Sequence, residues 1–194
     1  TIEVLREQQT MFGDTTSSPG RPPLAPISGI TITDNGIGFT DEHHMSFRTA
    51  DTEKKLSRGG KGVGRLAWLV VFERATIEST YRDNAHGLAC RQFEFRLPDG
   101  VYPPFDGESV EAGEPGTFIK LASPNRPYVD RMPKAPTKVA SELVGHCFDL
   151  LVSGLCPTVV LRDDDYQADL KAMATDMLMG KPEPLEVGGE PLRI

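Results

Sequence analysis

A chain of 194 residues with 38 % hydrophobic and 25 % charged residues has the composition of a soluble globular protein and the length for one sizeable domain, or one domain plus a fragment of a second. Its net charge of -7 argues against nonspecific nucleic-acid binding. Its longest apolar run, Leu66 to Phe72, falls far short of the roughly 20 residues a membrane span needs.

The first residues, Ile2 to Arg6, alternate like a strand and lack the charged start and apolar core of a signal peptide. The chain opens on Thr1 without an initiator Met, so it is expected to be part of a longer protein. Residues 13–26 are rich in Gly, Ser, Thr and Pro and read as a loop. Gly29 to Thr33 alternates as a second strand and runs into the turn signal Asp34-Asn35-Gly36. Residues 40–58 are polar with few apolar anchors and read as a flexible segment with one short helix at 41–48.

After Gly64 the texture changes. Arg65 to Arg74 predicts a buried helix opening at a glycine cluster, with Trp68 in the core. Ala75–Tyr81 and Arg91–Leu97 predict an antiparallel hairpin with Phe93, Phe95 and Leu97 on one face. Residues 98–115 read as a loop, Gly116–Leu121 as a strand, and Thr137–Val152 as a helix. Pro157–Leu161 predicts a short strand and 166–179 a helix. Gly180–Ile194 reads as a linker ending in a strand, Pro191–Ile194. Strands grouped between helices predict an α+β fold: a mixed, mostly antiparallel sheet with helices on one face.

Several residues read as plain. His43-His44 are adjacent, so they lack the i, i+4 spacing of a helical metal site, and read as surface histidines. Asp163-Asp164-Asp165 reads as a solvated strand end, and Arg126 and Arg131 as surface cations. Cys90, Cys147 and Cys156 are odd in number and form no CxxC. They argue against a disulfide framework or structural zinc site, read as buried or half-buried thiols, and suit a reducing cytoplasm.

Two motifs carry chemistry. In Asp34-x-Gly36-x-Gly38 a carboxylate at a strand end can accept from an exocyclic amine, and the glycines let backbone approach a flat ligand; taken alone, the same residues equally read as a plain β-turn with an Asx cap. A calcium loop fails, because the third and fifth positions are Gly36 and Gly38 and the place of the bidentate Glu holds Met45. In Gly59-Gly60-Lys61-Gly62-Val63-Gly64-Arg65, freed backbone N–H groups at a helix start make an anion site, with Lys61 and Arg65 adding charge. A Walker A loop fails because Gly62 follows Lys61. Gly62-x-Gly64-x-x-Ala67 matches the Rossmann fingerprint, but the preceding residues 51–58 are polar where a hydrophobic strand is required. Gly116-Thr117 opens a strand and gains meaning only from its position after the other two.

In that order the motifs resemble the GHKL superfamily, which includes DNA gyrase B, the ninety-kilodalton heat-shock chaperone, MutL, histidine kinases and the MORC proteins. The resemblance covers residues 29–162 and leans toward the heat-shock-chaperone and MORC branch and uncharacterised bacterial members. It implies a Bergerat-type two-layer sandwich over residues 1–165, with 166–194 a helix and linker toward a further domain. It implies ATP as ligand, with Asp34 on the adenine amine and Gly36 and Gly38 beneath the base. Gly60, Lys61, Gly62, Val63 and Gly64 would wrap the phosphates, Thr117 would support the adenine contact, and residues 40–58 would form a lid. It also implies magnesium with the ATP, and other domains of the parent protein or a homodimer as partners. The family's helix carrying a catalytic Glu and a magnesium-holding Asn is not readable before Asp34, so no catalytic residue is assigned and magnesium lacks its usual protein ligand. A non-hydrolysing scaffold and, less favoured, a histidine-kinase domain are the alternatives.

Overall fold

The computed structural model describes residues 1–7, 24–49, 64–83, 87–102, 108–110, 113–154, 156–180, 186–187 and 190–191. The first elements are β1 (Ile2–Arg6), β2 (Ile27–Asp34), α1 (Asp41–Arg48), α2 (Leu66–Val71), β3 (Phe72–Asp83) and β4 (Gly87–Arg96). They are followed by β5 (Gly100–Tyr102), β6 (Glu108–Val110), β7 (Gly116–Pro124), α3 (Tyr128–Arg131) and α4 (Pro136–Val152). The last are β8 (Val160–Asp163), β9 (Tyr166–Asp169), α5 (Leu170–Met179) and a two-residue pair, β10 (Glu186–Val187) and β11 (Glu190–Pro191).

Nine strands form one mixed sheet in the order β5-β4-β3-β7-β2-β1-β8-β9, with β6 also pairing β4. All pairs are antiparallel except β1 with β8. Strand registers show why the helices share one face. Val4, Ile30, Leu121, Ala75 and Phe95 stand opposite one another across five strands. One step along, Ile2, Ile32, Ile119, Ile77 and Phe93 form a second row on the same face. The intervening row on the other face is Glu3, Thr31, Lys120, Thr76 and Glu94. Side chains alternate across a strand, so one face is apolar and must be covered.

Two groups of helices cover it. Ala140, Val144 and Leu151 of α4 and Leu170 and Ala174 of α5 pack with Val4, Ile27 and Leu161. Leu69 of α2 packs with Phe72, Ala75, Ile77, Phe93, Phe95 and Leu121, and Phe39, Phe47 and Trp68 lie against that cluster. Ile30 touches both clusters. The result is the two-layer α+β arrangement expected from the sequence.

Local chemistry sets the helix starts. Thr40 caps α1 by accepting from His43 N at 3.4 Å, and Asp41 and Glu42 occupy its first turn. Asp169 caps α5, accepting from Lys171 N at 2.9 Å and Ala172 N at 3.1 Å. Pro136 starts α4, where a missing N–H costs nothing.

Several local expectations are corrected. The Arg65–Arg74 run is a six-residue helix followed at once by β3, and Leu66 and Val70 are exposed. Trp68 is only half-buried, at the core's edge. Leu97 lies beyond the end of β4 and is exposed, so it does not join Phe93 and Phe95 in the core. The 98–115 stretch contains β5 and β6, recruited by pairing to β4. The strand expected at Pro157 begins at Val160, and 166–179 is β9 followed by α5. Asp163 is buried rather than solvated, because Arg6 meets it with two hydrogen bonds of 2.6 and 2.5 Å. The same guanidinium donates to Ala25 O at 2.6 Å and Lys134 O at 2.8 Å. Hydrogen bonding to Asp163 raises the Arg6 guanidinium above its ordinary value, against the lowering effect of burial.

Candidate functional site

A third row continues the two apolar ones on the helix-bearing face. Asp34, Thr117, Ser79 and Arg91 stand opposite one another on β2, β7, β3 and β4. The same alternation that points Ile77 and Phe93 into the core points Ser79 and Arg91 inward, and both are buried. Burying polar groups is costly without partners, so the partners define the site.

Ser79 Oγ accepts from Phe39 N at 2.8 Å, donates to Gly116 O at 2.9 Å, and lies 3.3 Å from Thr117 Oγ1. Arg91 takes the other side of the same peptide segment. It donates to Phe39 O at 2.8 Å, to Asp41 Oδ1 at 2.5 Å and to the Tyr81 hydroxyl at 3.1 Å. Its guanidinium lies 4.8 Å from the Tyr81 ring centroid. Thus the sheet grips both backbone polar groups of Phe39, the residue that closes the Asp34–Gly38 turn.

The turn itself is built tightly. Asp34 Oδ1 accepts from Gly36 N at 2.6 Å, closing an Asx turn at the end of β2. Gly38 has φ +77°, and a Cβ there would lie 2.2 Å from Thr80 O. A Cβ on Gly116 would lie 2.7 Å from Asp34 O. These two glycines therefore have an intramolecular reason: turn and strands approach closer than a side chain permits. His43 Nδ1 lies 3.2 Å from Gly38 O.

The segment after the turn is anchored, contrary to the sequence expectation for its first half. Phe39 and Phe47 stack edge-on at 5.5 Å, and Phe47 meets Phe93 at 5.4 Å and Phe95 at 5.2 Å. His44 is buried with its ring 5.0 Å from Phe93, not a surface histidine. The far end of α1 reaches the start of α2: Arg65 donates to Thr49 O at 2.7 Å and lies 5.2 Å from the Phe47 ring centroid.

Of the expected site residues, the structure brings Asp34, Gly36, Gly38 and Thr117 together. Gly64 stands exposed just before α2 with no atom within 4 Å of a Cβ placed on it. Gly60, Lys61, Gly62 and Val63 lie outside the described residues. Beside the turn is an open cleft of about 590 Å³ lined by Asn35, Gly36, Ile37, Thr40, Arg82, Glu114 and Pro115. Asp34 and Thr117 do not line it. Sequence reading missed Ser79 and Arg91. The available signal was register: in Ala75-x-Ile77-x-Ser79-x-Tyr81 and Ala89-x-Arg91-x-Phe93-x-Phe95 both polar residues fall on the inward period.

No family model matches this sequence, and no curated protein matches it. Among solved structures, the chain is similar to the ATPase region of Saccharomyces cerevisiae topoisomerase II, at 13 % identity and a TM-score of 0.48, over 79 % of this chain and 44 % of that one. It is similar to the same region bound to dexrazoxane, at 13 % identity and a TM-score of 0.47, over 78 % and 44 %. A third is the topoisomerase IV ATP-binding domain of Francisella tularensis in complex with a small-molecule inhibitor, at 19 % identity and a TM-score of 0.42, over 83 % and 47 %. The chain spans less than half the length of each.

Proposed function

We propose that this chain is a GHKL-type ATP-binding domain in which Asp34 and Thr117 receive the adenine amine. One observation carries the reading: a cross-strand pair of polar side chains sits at the end of an apolar floor that is only partly covered. In the row Phe93, Ile77, Ile119, Ile32, Ile2 the first two are fully buried, whereas the last three are half-buried. Ile32 packs in neither helix cluster. A flat base resting on Ile32 and Ile119 would reach the Asp34 carboxylate at its edge, which suits a heterocycle with an exocyclic amine.

The phosphates would lie toward the start of α2, where Gly60 to Gly64 supply N–H groups and Lys61 a charge. Magnesium accompanying ATP would take most of its oxygens from phosphate and water. Among the described residues no group of three His, Cys, Asp or Glu gathers as a ready-made cage. Closure of a lid over the nucleotide would leave α1 in place, because its aromatic contacts hold it to the sheet. Contacts to partner domains or to a second copy would follow that closure.

Isothermal titration with ATP and magnesium tests the reading. Binding by the wild-type chain, weakened at least tenfold in Asp34→Asn, is the expected result. Equal affinity in wild type and variant ends it. A non-hydrolysing scaffold uses the same pocket, and ATP turnover by a longer protein containing this chain separates the two.

A further inference from the structure

Resting on that nucleotide reading, we infer that Ser79 is a specificity-determining positioning residue that fixes the Thr117 hydroxyl as an acceptor toward the base. The argument is a proton inventory. A serine hydroxyl has one proton and two lone pairs. Ser79 gives its proton to Gly116 O and receives Phe39 N–H. Its remaining contact, Thr117 Oγ1 at 3.3 Å, can then only be one in which Thr117 donates. Thr117 has spent its single proton inside the protein and offers only lone pairs outward.

Directly across the ladder stands Asp34, whose carboxylate oxygens are also acceptors. Two facing acceptors favour a ligand edge bearing an amino group, with protons to give. They reject a carbonyl at the same position, because a lone pair would then face lone pairs. The discrimination between a 6-aminopurine and a 6-oxopurine therefore depends on Ser79, which touches neither. Ser79 falls on the inward period of β3 and is buried, so water does not scramble this polarity.

The experiment compares affinities of the full chain for ATP and inosine triphosphate, which differ in that one group. Wild type is expected to prefer ATP by at least about a hundredfold, because a site built to hydrogen-bond one group rejects an analogue that lacks it. In Ser79→Ala the Thr117 proton is released to turn outward, and the preference falls about tenfold, mainly through tighter binding of the oxo nucleotide. Thr117→Val leaves both bonds of Ser79 to the backbone intact. It is expected to weaken ATP about tenfold with inosine triphosphate unchanged, and Ser79→Ala added to it should shift the ratio no further. Equal weakening of both nucleotides in Ser79→Ala, or a further ratio shift in the double variant, overturns the inference while leaving the ATP site in place. If Ser79→Ala does not fold, the Thr117→Val ratio alone decides: equal losses, or none, overturn it. Wild-type binding of neither nucleotide overturns the site reading and this inference together.

Discussion

Two inward-facing arginines bound the sheet at opposite ends, and their ion pairs differ in one respect. Arg6 and Asp163 are both almost fully buried, at 5 % and 1 % side-chain exposure, and the guanidinium is satisfied further by Ala25 O and Lys134 O. Arg91 is as buried, at 4 %, but its carboxylate partner Asp41 is 81 % exposed. The first pair is closed on itself, tying β1 and β8 to the chain before β2 and before α4. The second is half open, with a fixed cation and a carboxylate that water can reach. A closed pair staples; a half-open one holds the entrance of α1 beside the candidate site. Burial on both sides thus separates the end of the sheet whose ion pair is closed from the end whose ion pair is open to solvent.

The sharpest way to break this contrast is Asp163→Ala, which leaves Arg6 charged and buried. A loss of about 3–5 kcal/mol in urea unfolding is expected. Arg6→Met with Asp163→Leu should recover most of it, because the charge then goes with its partner. Gly38→Ala is next. At φ +77°, with Thr80 O 2.2 Å from a new Cβ, it should cost about 2–3 kcal/mol, whereas Gly64→Ala, with open space around it, should be near neutral in the same assay. Asp34→Ala should cost ATP about ten- to a hundredfold in affinity by calorimetry, and about 1 kcal/mol in stability through the lost Asx turn. The smallest effect belongs to Asp41→Asn, whose exposed half of the second pair should contribute about 0–1 kcal/mol and lose even that at high salt. An Asp41→Asn cost equal to that of Asp163→Ala would erase the distinction between the two ends.

Most of the frame was legible because it is periodic. The alternation in β2, β3, β4 and β7 and the spacing in α4 are local signals that mark the middle of each element, although β3 and β4 start earlier than their patterns suggest and β4 stops before Leu97. Asp34, the two glycines of its turn and Thr117 were legible because a strand end, a sharp turn and a Gly-Thr start leave marks in composition. What was hidden depends on partners far along the chain. Nothing near Asp163 tells that Arg6 lies against it, so an aspartate triplet looked solvated. Ser79 and Arg91 looked like ordinary polar residues until ladder pairing put them in one row with Asp34. The Leu66–Phe72 run was apolar enough for helix or strand, and the structure divides it between α2 and the first residue of β3. His44 was misread because its burial comes from Phe93, not from its own helix.

The position of β1 has a consequence for how the protein is made. This strand is interior to the sheet, paired to β2 on one edge and to β8 on the other, with Ile2 opposite Leu161. Its first neighbour is synthesised soon after it; its second is not. At ribosomal speeds of about 5–20 residues per second, the β8-facing edge of β1 waits on the order of 10 s for its partner. An unpaired strand edge is a template for association with other chains, and contacts of such long sequence separation close slowly. The parallel seam between β1 and β8 is therefore a contact that can close only late in synthesis, leaving that edge of β1 open until then.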